Sequence, residues 1–134
     1  MSVDVLIVDD DTDMRDVLRE LLQDAGLRTS ELPDASKLAE TLDRIRPRLV
    51  LLDLTLPGAD LRGALSTARA RGFLVGTKVF AVSGLTDADL IADELGLDGV
   101  VPKPFDTAAL LKRVNAICRL AESERSVEVS SARI

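Results

Sequence analysis

Apolar residues fall along this chain in two alternating rhythms: short runs, and stretches in which they recur every three or four positions. Val5-Leu6-Ile7-Val8 anchors a strand predicted over Val3 to Val8. Asp11 or Thr12 caps the helix that follows, whose Met14, Val17, Leu18, Leu21 and Leu22 share one face, and Gly26 ends it. Leu27 to Glu31 predicts a short strand with little apolar content, hence a sheet edge. Pro33 and Asp34 open a second helix through Leu38, Leu42 and Ile45. It stops ahead of Pro47, because the residue before a proline is pushed out of the helical region. Leu49-Val50-Leu51-Leu52-Asp53 then reads as a strand buried on both faces that ends in a carboxylate.

After Pro57-Gly58 a third helix is predicted from about Asp60 to Arg71, with Leu61, Ala64, Leu65 and Ala68 inward and Gly72 as terminator. Lys78 to Val82 is a fourth strand with Ser83-Gly84 at its end. Thr86 caps a fourth helix carrying Leu90, Ile91 and Leu95, closed by Gly96. Gly99 to Pro102 is a short fifth strand, and Asp106 or Thr107 caps a fifth helix with Leu110, Leu111, Val114, Ile117 and Cys118 inward. The domain is expected over residues 1–120. Residues 121–134 lose the apolar pattern and gain Ser and Glu, which reads as a helix extension or a C-terminal tail or linker. Strict strand-helix alternation predicts an α/β fold, a doubly wound five-stranded parallel sheet with five helices, because each parallel connection crosses over right-handedly.

Composition narrows the chemistry. With 46% apolar residues in 134, one domain can bury its core without disulfides or metals as staples. A formal charge of -6 and only three aromatic rings, Phe73, Phe80 and Phe105, argue against a surface that neutralises phosphates or stacks bases, so no direct nucleic-acid contact is expected. Histidine is absent, which removes His-based triads, His-ligated zinc and any phosphohistidine relay inside the chain. The lone Cys118 shares an apolar helix face with Leu111 and Val114 and reads as an inert buried thiol. No run of apolar residues is long enough for membrane insertion, and a soluble, cytoplasmic protein is expected.

Asp9, Asp10, Asp53, Ser83 and Lys103 all fall at carboxyl ends of predicted strands, where doubly wound sheets place their sites. Two carboxylates about 4 Å apart repel by roughly 4 kcal/mol at an effective dielectric near 20, so such a group must protonate or bind a cation. Hard oxygen ligands, few and partly hydrated, suit Mg2+. A carboxylate beside that ion is placed to hold or attack a phosphoryl group, with Ser83 donating to one phosphoryl oxygen and Lys103 pairing with another. Taken singly, each residue has a plainer reading: Asp9 to Asp11 as helix caps, Asp53 and Ser83 as turn chemistry, Lys103 as a solvated lysine.

The stretches Leu6-Ile7-Val8-Asp9-Asp10, Leu51-Leu52-Asp53-Leu54-Thr55-Leu56-Pro57-Gly58, Val82-Ser83-Gly84 and Val101-Pro102-Lys103-Pro104-Phe105 together form a specific signature. Across about residues 3 to 120 the chain resembles the receiver domain of bacterial two-component response regulators, of the single-domain, chemotaxis-regulator-like kind. The resemblance implies a flavodoxin-like sheet of strand order 2-1-3-4-5 and a cis peptide at Lys103-Pro104. It implies that Asp53 accepts a phosphoryl group from the phosphohistidine of a histidine kinase or phosphotransfer protein. Asp10, Asp53 and the backbone carbonyl of Thr55 would ligate Mg2+, with Asp9 orienting the metal through water. Ser83 would switch position, Lys103 would contact the phosphoryl group, and output would pass to a protein partner through the fourth helix, fifth strand and fifth helix.

Three positions depart from the family pattern. Val100 stands where receivers usually carry Tyr or Phe, Asp60-Leu61 replaces Asp-Gly after the loop proline, and Leu85 occupies a place that is often polar. Val100 and Leu61 leave room for a pseudo-receiver, a binding module without phosphorylation-dependent switching. A magnesium phosphohydrolase on a similar sheet needs a second acid where Thr55 stands. Neither Leu85 nor Thr55 is suited to position attacking water, so slow loss of phosphate from Asp53 is expected. The purified phosphoprotein should keep its label for minutes or longer, and a half-life of seconds, followed by mass spectrometry, would count against this.

Overall fold

The computed structural model describes residues 2–132, with side chains described for all of these except 58, 59 and 120–132. Five strands and five helices alternate: β1 (Val5–Val8), α1 (Thr12–Asp24), β2 (Thr29–Leu32), α2 (Leu38–Ile45), β3 (Leu49–Asp53), α3 (Gly58–Ala70), β4 (Lys78–Ser83), α4 (Ala88–Leu95), β5 (Gly99–Pro102) and α5 (Thr107–Ala132). The strands form one parallel sheet in the order β2-β1-β3-β4-β5. The chain therefore reverses direction of winding between β1 and β3, and the carboxyl ends of these two strands flank the crevice that such a reversal opens.

Alternation along each strand divides the core in two. Val5, Ile7, Leu49, Leu51, Phe80, Val82 and Val101 face α1 and α5 and meet Leu18, Leu22, Leu110, Val114 and Cys118. Leu6, Val8, Val50, Leu52, Val79 and Ala81 face α2, α3 and α4 and meet Leu38, Leu42, Leu61, Leu65, Ala68, Ala88 and Leu95. Burial on both faces is why β1 and β3 carry unbroken aliphatic runs. Every residue of β2 is only partly buried, as its edge position demands. Leu61, at the position where Asp-Gly was the family expectation, is only 2% exposed and fills the α3 side of the core.

Local capping differs from the sequence reading in three places. Helix α2 begins at Leu38 rather than at Pro33-Asp34, because the Asp34 carboxylate folds back to accept from the Ser36 N–H at 2.9 Å and its hydroxyl at 2.6 Å. An Asx-type turn thus takes the place of the first helical turn. Helix α4 starts at Ala88 without any side-chain cap, so Thr86 does not cap it; main-chain bonds from Ala88 N–H to Leu85 O and from Ile91 N–H to Asp87 O close the turn. Helix α3 starts two residues early, directly after Pro57. Elsewhere the caps follow expectation, with Asp11 accepting from the Asp13 and Met14 N–H groups and Asp106 accepting from Ala109.

Two glycines illustrate opposite packing constraints. A Cβ on Gly99 in β5 would lie 3.2 Å from the Phe80 ring and 3.1 Å from the Arg113 guanidinium, which stacks over that ring. A Cβ on Gly63, on the exposed side of α3, would meet nothing within 4 Å. Gly99→Ala should therefore destabilise the domain by about 1–3 kcal/mol through overpacking. Gly63→Ala should stabilise it by up to about 1 kcal/mol through helix propensity. Urea denaturation of the two variants checks both, and equal shifts in the same direction would contradict the packing described.

Candidate functional site

At the carboxyl edge of the sheet, Asp9 follows β1, Asp53 ends β3, Ser83 ends β4 and Lys103 follows β5. Asp9, Asp53 and Ser83 are buried, whereas Asp10 is exposed. One carboxylate oxygen from each of Asp9, Asp10 and Asp53 lies within 4.8 Å of the others. The Lys103 ammonium reaches to 3.7 Å from Asp9 Oδ2, and the Lys103–Pro104 peptide is cis. Asp9, Asp10, Asp53 and Lys103 thus meet at this edge, and Ser83 stands on the strand end next to Lys103.

The charge balance of this crevice is uneven. Burial raises the Asp9 pKa above its ordinary value, and the nearby negative charge of Asp53 raises it further. The Asp11 N–H, donating to Asp9 Oδ1 at 2.9 Å, and the Lys103 charge oppose that rise without cancelling it. Three carboxylates facing one ammonium leave a site in which a proton or a cation relieves repulsion. The donors are all hard oxygens on short side chains, the set that suits Mg2+. The residues present therefore fit a divalent cation.

Asp53 is held by its own loop. The Thr55 N–H donates to Oδ1 at 2.9 Å and the Thr55 hydroxyl donates to Oδ2 at 2.7 Å, fixing the carboxylate plane at the mouth of the crevice. The Ser83 Oγ accepts from the Leu85 N–H at 3.1 Å, and the Ser83 carbonyl accepts from the Lys103 N–H at 2.9 Å, so the hydroxyl and the lysine stand on adjoining, mutually bonded strand ends. Leu85 is 40% exposed beside them.

Val100 is half-buried and packs toward the α2, α3 and α4 side of the core. Its carbonyl accepts from Arg113 Nη1 at 2.8 Å, and the Arg113 guanidinium sits 4.6 Å from the centre of the Phe80 ring. Arg113 thus ties α5 to β5 by a bond to the Val100 carbonyl and to β4 by a cation-π stack on Phe80. Two contacts escaped the sequence reading: the second bond from Thr55 to Asp53, and a bond of 2.6 Å from Arg15 to the Asp9 carbonyl. No local signal marks either, since an arginine or threonine one turn or one loop away is ordinary composition.

The profile of the response regulator receiver domain matches residues 5–115. The chain belongs to that family. The receiver domain is 34% identical over 122 residues to the DNA-binding response regulator MtrA of Mycolicibacterium smegmatis, covering 90% of this chain and 52% of that protein. The MtrA of Mycobacterium leprae is 32% identical over 130 residues, 96% of this chain and 56% of that protein. The receiver domain thus spans about half the length of these relatives. They are named as DNA-binding proteins, so they lend no support to the expectation that direct nucleic-acid contact is absent.

Among solved structures, a CheY-like receiver domain from Methanospirillum hungatei superposes with a TM-score of 0.73 at 24% identity, covering 92% of this chain and 99% of that one. The receiver domain of the sensor histidine kinase PA1611 of Pseudomonas aeruginosa, with magnesium coordinated in its active site cleft, gives 0.76 at 22% identity, covering 88% and 98%. These likenesses establish the shared fold, the flavodoxin-like order 2-1-3-4-5. No helix among the described residues is long and apolar enough to cross a membrane.

A carboxyl whose pKa rises on folding costs the folded state nothing while both states are protonated; the penalty builds as pH climbs past the unfolded value and is complete above the folded one. Asp9→Asn removes that load, so in metal-free buffer at pH 7 the variant should melt a few degrees above the wild type. The gain should disappear as pH falls toward 3.8, the ordinary value for the group. Thermal melts in a chelator across that range check it; an unchanged or lower melting temperature at pH 7 contradicts it.

Proposed function

We propose that this receiver domain is a phosphoryl-accepting switch of a two-component system, with Asp53 as the acceptor. The observation that carries the reading is the arrangement at the sheet edge: a buried nucleophilic carboxylate, two further carboxylates within 4.8 Å and a lysine 3.7 Å from Asp9. Asp9, Asp10, Asp53 and the Thr55 backbone carbonyl would hold Mg2+. When bound, the ion neutralises charge on the phosphoryl oxygens during transfer.

The chain's own groups supply the rest. One Asp53 oxygen attacks the phosphorus of a phosphohistidine on a partner histidine kinase or phosphotransfer protein; the P–O bond forms as the P–N bond breaks, and the imidazole leaves. Each Asp53 oxygen accepts one bond from Thr55 and keeps a further lone pair with which to attack. Lys103, whose ammonium stands 3.7 Å from Asp9, would pair with a phosphoryl oxygen, and the Ser83 hydroxyl would turn from the Leu85 N–H to donate to another. Movement of Ser83 and its loop biases α4, which begins five residues later, and so alters protein binding at the face of α4, β5 and α5.

In this reading the receiver domain occupies residues 1–120, residues 121–132 continue α5 beyond it with 133 and 134 outside the described residues, and the protein works in the cytoplasm. It turns over no separate substrate. A phosphohydrolase is disfavoured because the position two beyond Asp53 holds Thr55, whose hydroxyl is bonded to Asp53 itself. One observation favours a phosphorylation-independent interaction module instead: Val100 supplies no ring to follow Ser83, and Arg113 clamps its carbonyl.

Incubation with Mg2+ and acetyl phosphate should add one phosphoryl group per chain, detected by mass spectrometry, and Asp53→Ala should abolish the gain. Absence of labelling in the wild type favours the interaction module, and multiple turnover of a phosphate ester favours the enzyme.

A further inference from the structure

Asp10 presents a paradox of placement. It belongs to the carboxylate cluster, yet it is exposed, and among the described residues no hydrogen bond or ion pair holds its side chain. Its position is therefore set by the main chain on its N-terminal side, the Asp9–Asp10 peptide. That peptide lies beyond the sheet ladder, since β1 ends at Val8, whose partner on β3 is Leu52.

Three bonds fix Asp9. Its N–H donates to the Leu32 carbonyl at 3.1 Å, its carboxylate accepts from the Asp11 N–H at 2.9 Å, and its carbonyl accepts from Arg15 Nη1 at 2.6 Å. The last bond alone acts on the peptide plane that joins Asp9 to Asp10. Arg15 rises from the first turns of α1 and reaches back six residues to make it. The guanidinium is itself oriented: Nε lies 3.6 Å from Glu31 on the edge strand β2, and Nη2 donates to the Thr12 hydroxyl at 3.4 Å. Its side chain is only 17% exposed, uncommon for a charged residue that does no more than solvate a surface. Glu31 also pairs with Arg19 at 3.1 Å, and Arg19 with Asp16 at 2.9 Å, which anchors the carboxylate that aims Arg15.

We infer that Arg15 is a positioning residue for the metal site: through the Asp9 carbonyl it sets the Asp9–Asp10 peptide, and with it the direction from which Asp10 presents its oxygen. The inference rests on the phosphoacceptor reading. A charged donor on a main-chain carbonyl is among the stronger hydrogen bonds, and groups that orient metal ligands commonly change metal affinity by about 10-fold to 100-fold when removed. Glu31 stands behind Arg15 in the same way.

Calorimetric titration of the chelator-stripped protein with Mg2+ tests this, alongside acetyl phosphate labelling rates at several Mg2+ concentrations. Arg15→Ala should weaken Mg2+ binding by about tenfold. Its labelling rate should fall at low Mg2+ and recover at saturating Mg2+, a shift in metal dependence that a general loss of stability does not produce. Arg15→Lys, which retains one charged donor, should recover most of the affinity and serves where the alanine variant folds poorly. Arg19→Ala, which loses a Glu31 pair but leaves the Arg15 bond to the Asp9 carbonyl in place, should weaken Mg2+ binding far less than Arg15→Ala. Arg15 variants with wild-type Mg2+ affinity, or an equal loss in Arg19→Ala, overturn the inference while leaving the phosphoacceptor reading intact. A wild type that binds no Mg2+ overturns that reading and the inference with it.

Discussion

Like charges brought together at the end of a hydrophobic sheet are the constraint on which the rest of this structure turns. Asp9 and Asp53 are buried, Asp10 stands beside them, and Lys103 is the ammonium that faces the group. In water such carboxylates separate; here the aliphatic strands behind them prevent it, because Val8 and Leu52 anchor both strand ends in the core. The stability of the core therefore holds a cluster that electrostatics alone would disperse. Burial, and the Asp53 charge beside it, raise the Asp9 pKa, and a bound cation would relieve the crowding.

Around the crevice, main-chain geometry is controlled by charged side chains reaching from helices. Arg15 satisfies the carbonyl that β1 leaves past the end of its ladder. Arg69 of α3 donates to the Leu95 and Gly96 carbonyls, where α4 ends in a left-handed glycine, so the two helices are tied at the C-terminus of α4. Arg113 of α5 does the same for the Val100 carbonyl while covering Phe80. In each case a planar guanidinium spans elements that apolar packing alone leaves free to slide. The N-terminal side of α4 is by contrast closed by backbone bonds alone, next to Ser83. Helix α4 is thus tied by a side chain at its C-terminal end and by the backbone alone at its N-terminal end.

The lack of a ring at position 100 leaves the packing around β5 to other side chains. Val100 is small enough to pack toward the core, and the space above β5 belongs to the Arg113 and Phe80 stack that Gly99 admits. The α5 helix is coupled to β4 through that stack and to β5 through the Arg113 bond to the Val100 carbonyl. Any displacement that begins at Ser83 passes β4 and β5, whose ends are joined by the Lys103 N–H and the Ser83 carbonyl.

The amino-acid sequence by itself determined the order of elements, the inward faces of the helices and the five polar residues at the strand ends. Hydrophobic periodicity and strand-end polarity are local properties, and β1, β3 and their terminal aspartates carry them without ambiguity. Leu61 departs from the family's Asp-Gly yet falls on the inward face its helical spacing predicts, and the core it fills is built by residues of three helices and the sheet. The cap of α2 was misplaced for a related reason: Asp34 can cap a helix or close a turn on Ser36, and only the path from β2 into α2 chooses. The separation of the carboxylates, the commitment of Thr55 to Asp53, and the reach of Arg15 to the Asp9 carbonyl were decided by tertiary structure alone. Each is a distance between groups whose spacing along the chain carries no information about their spacing in the fold.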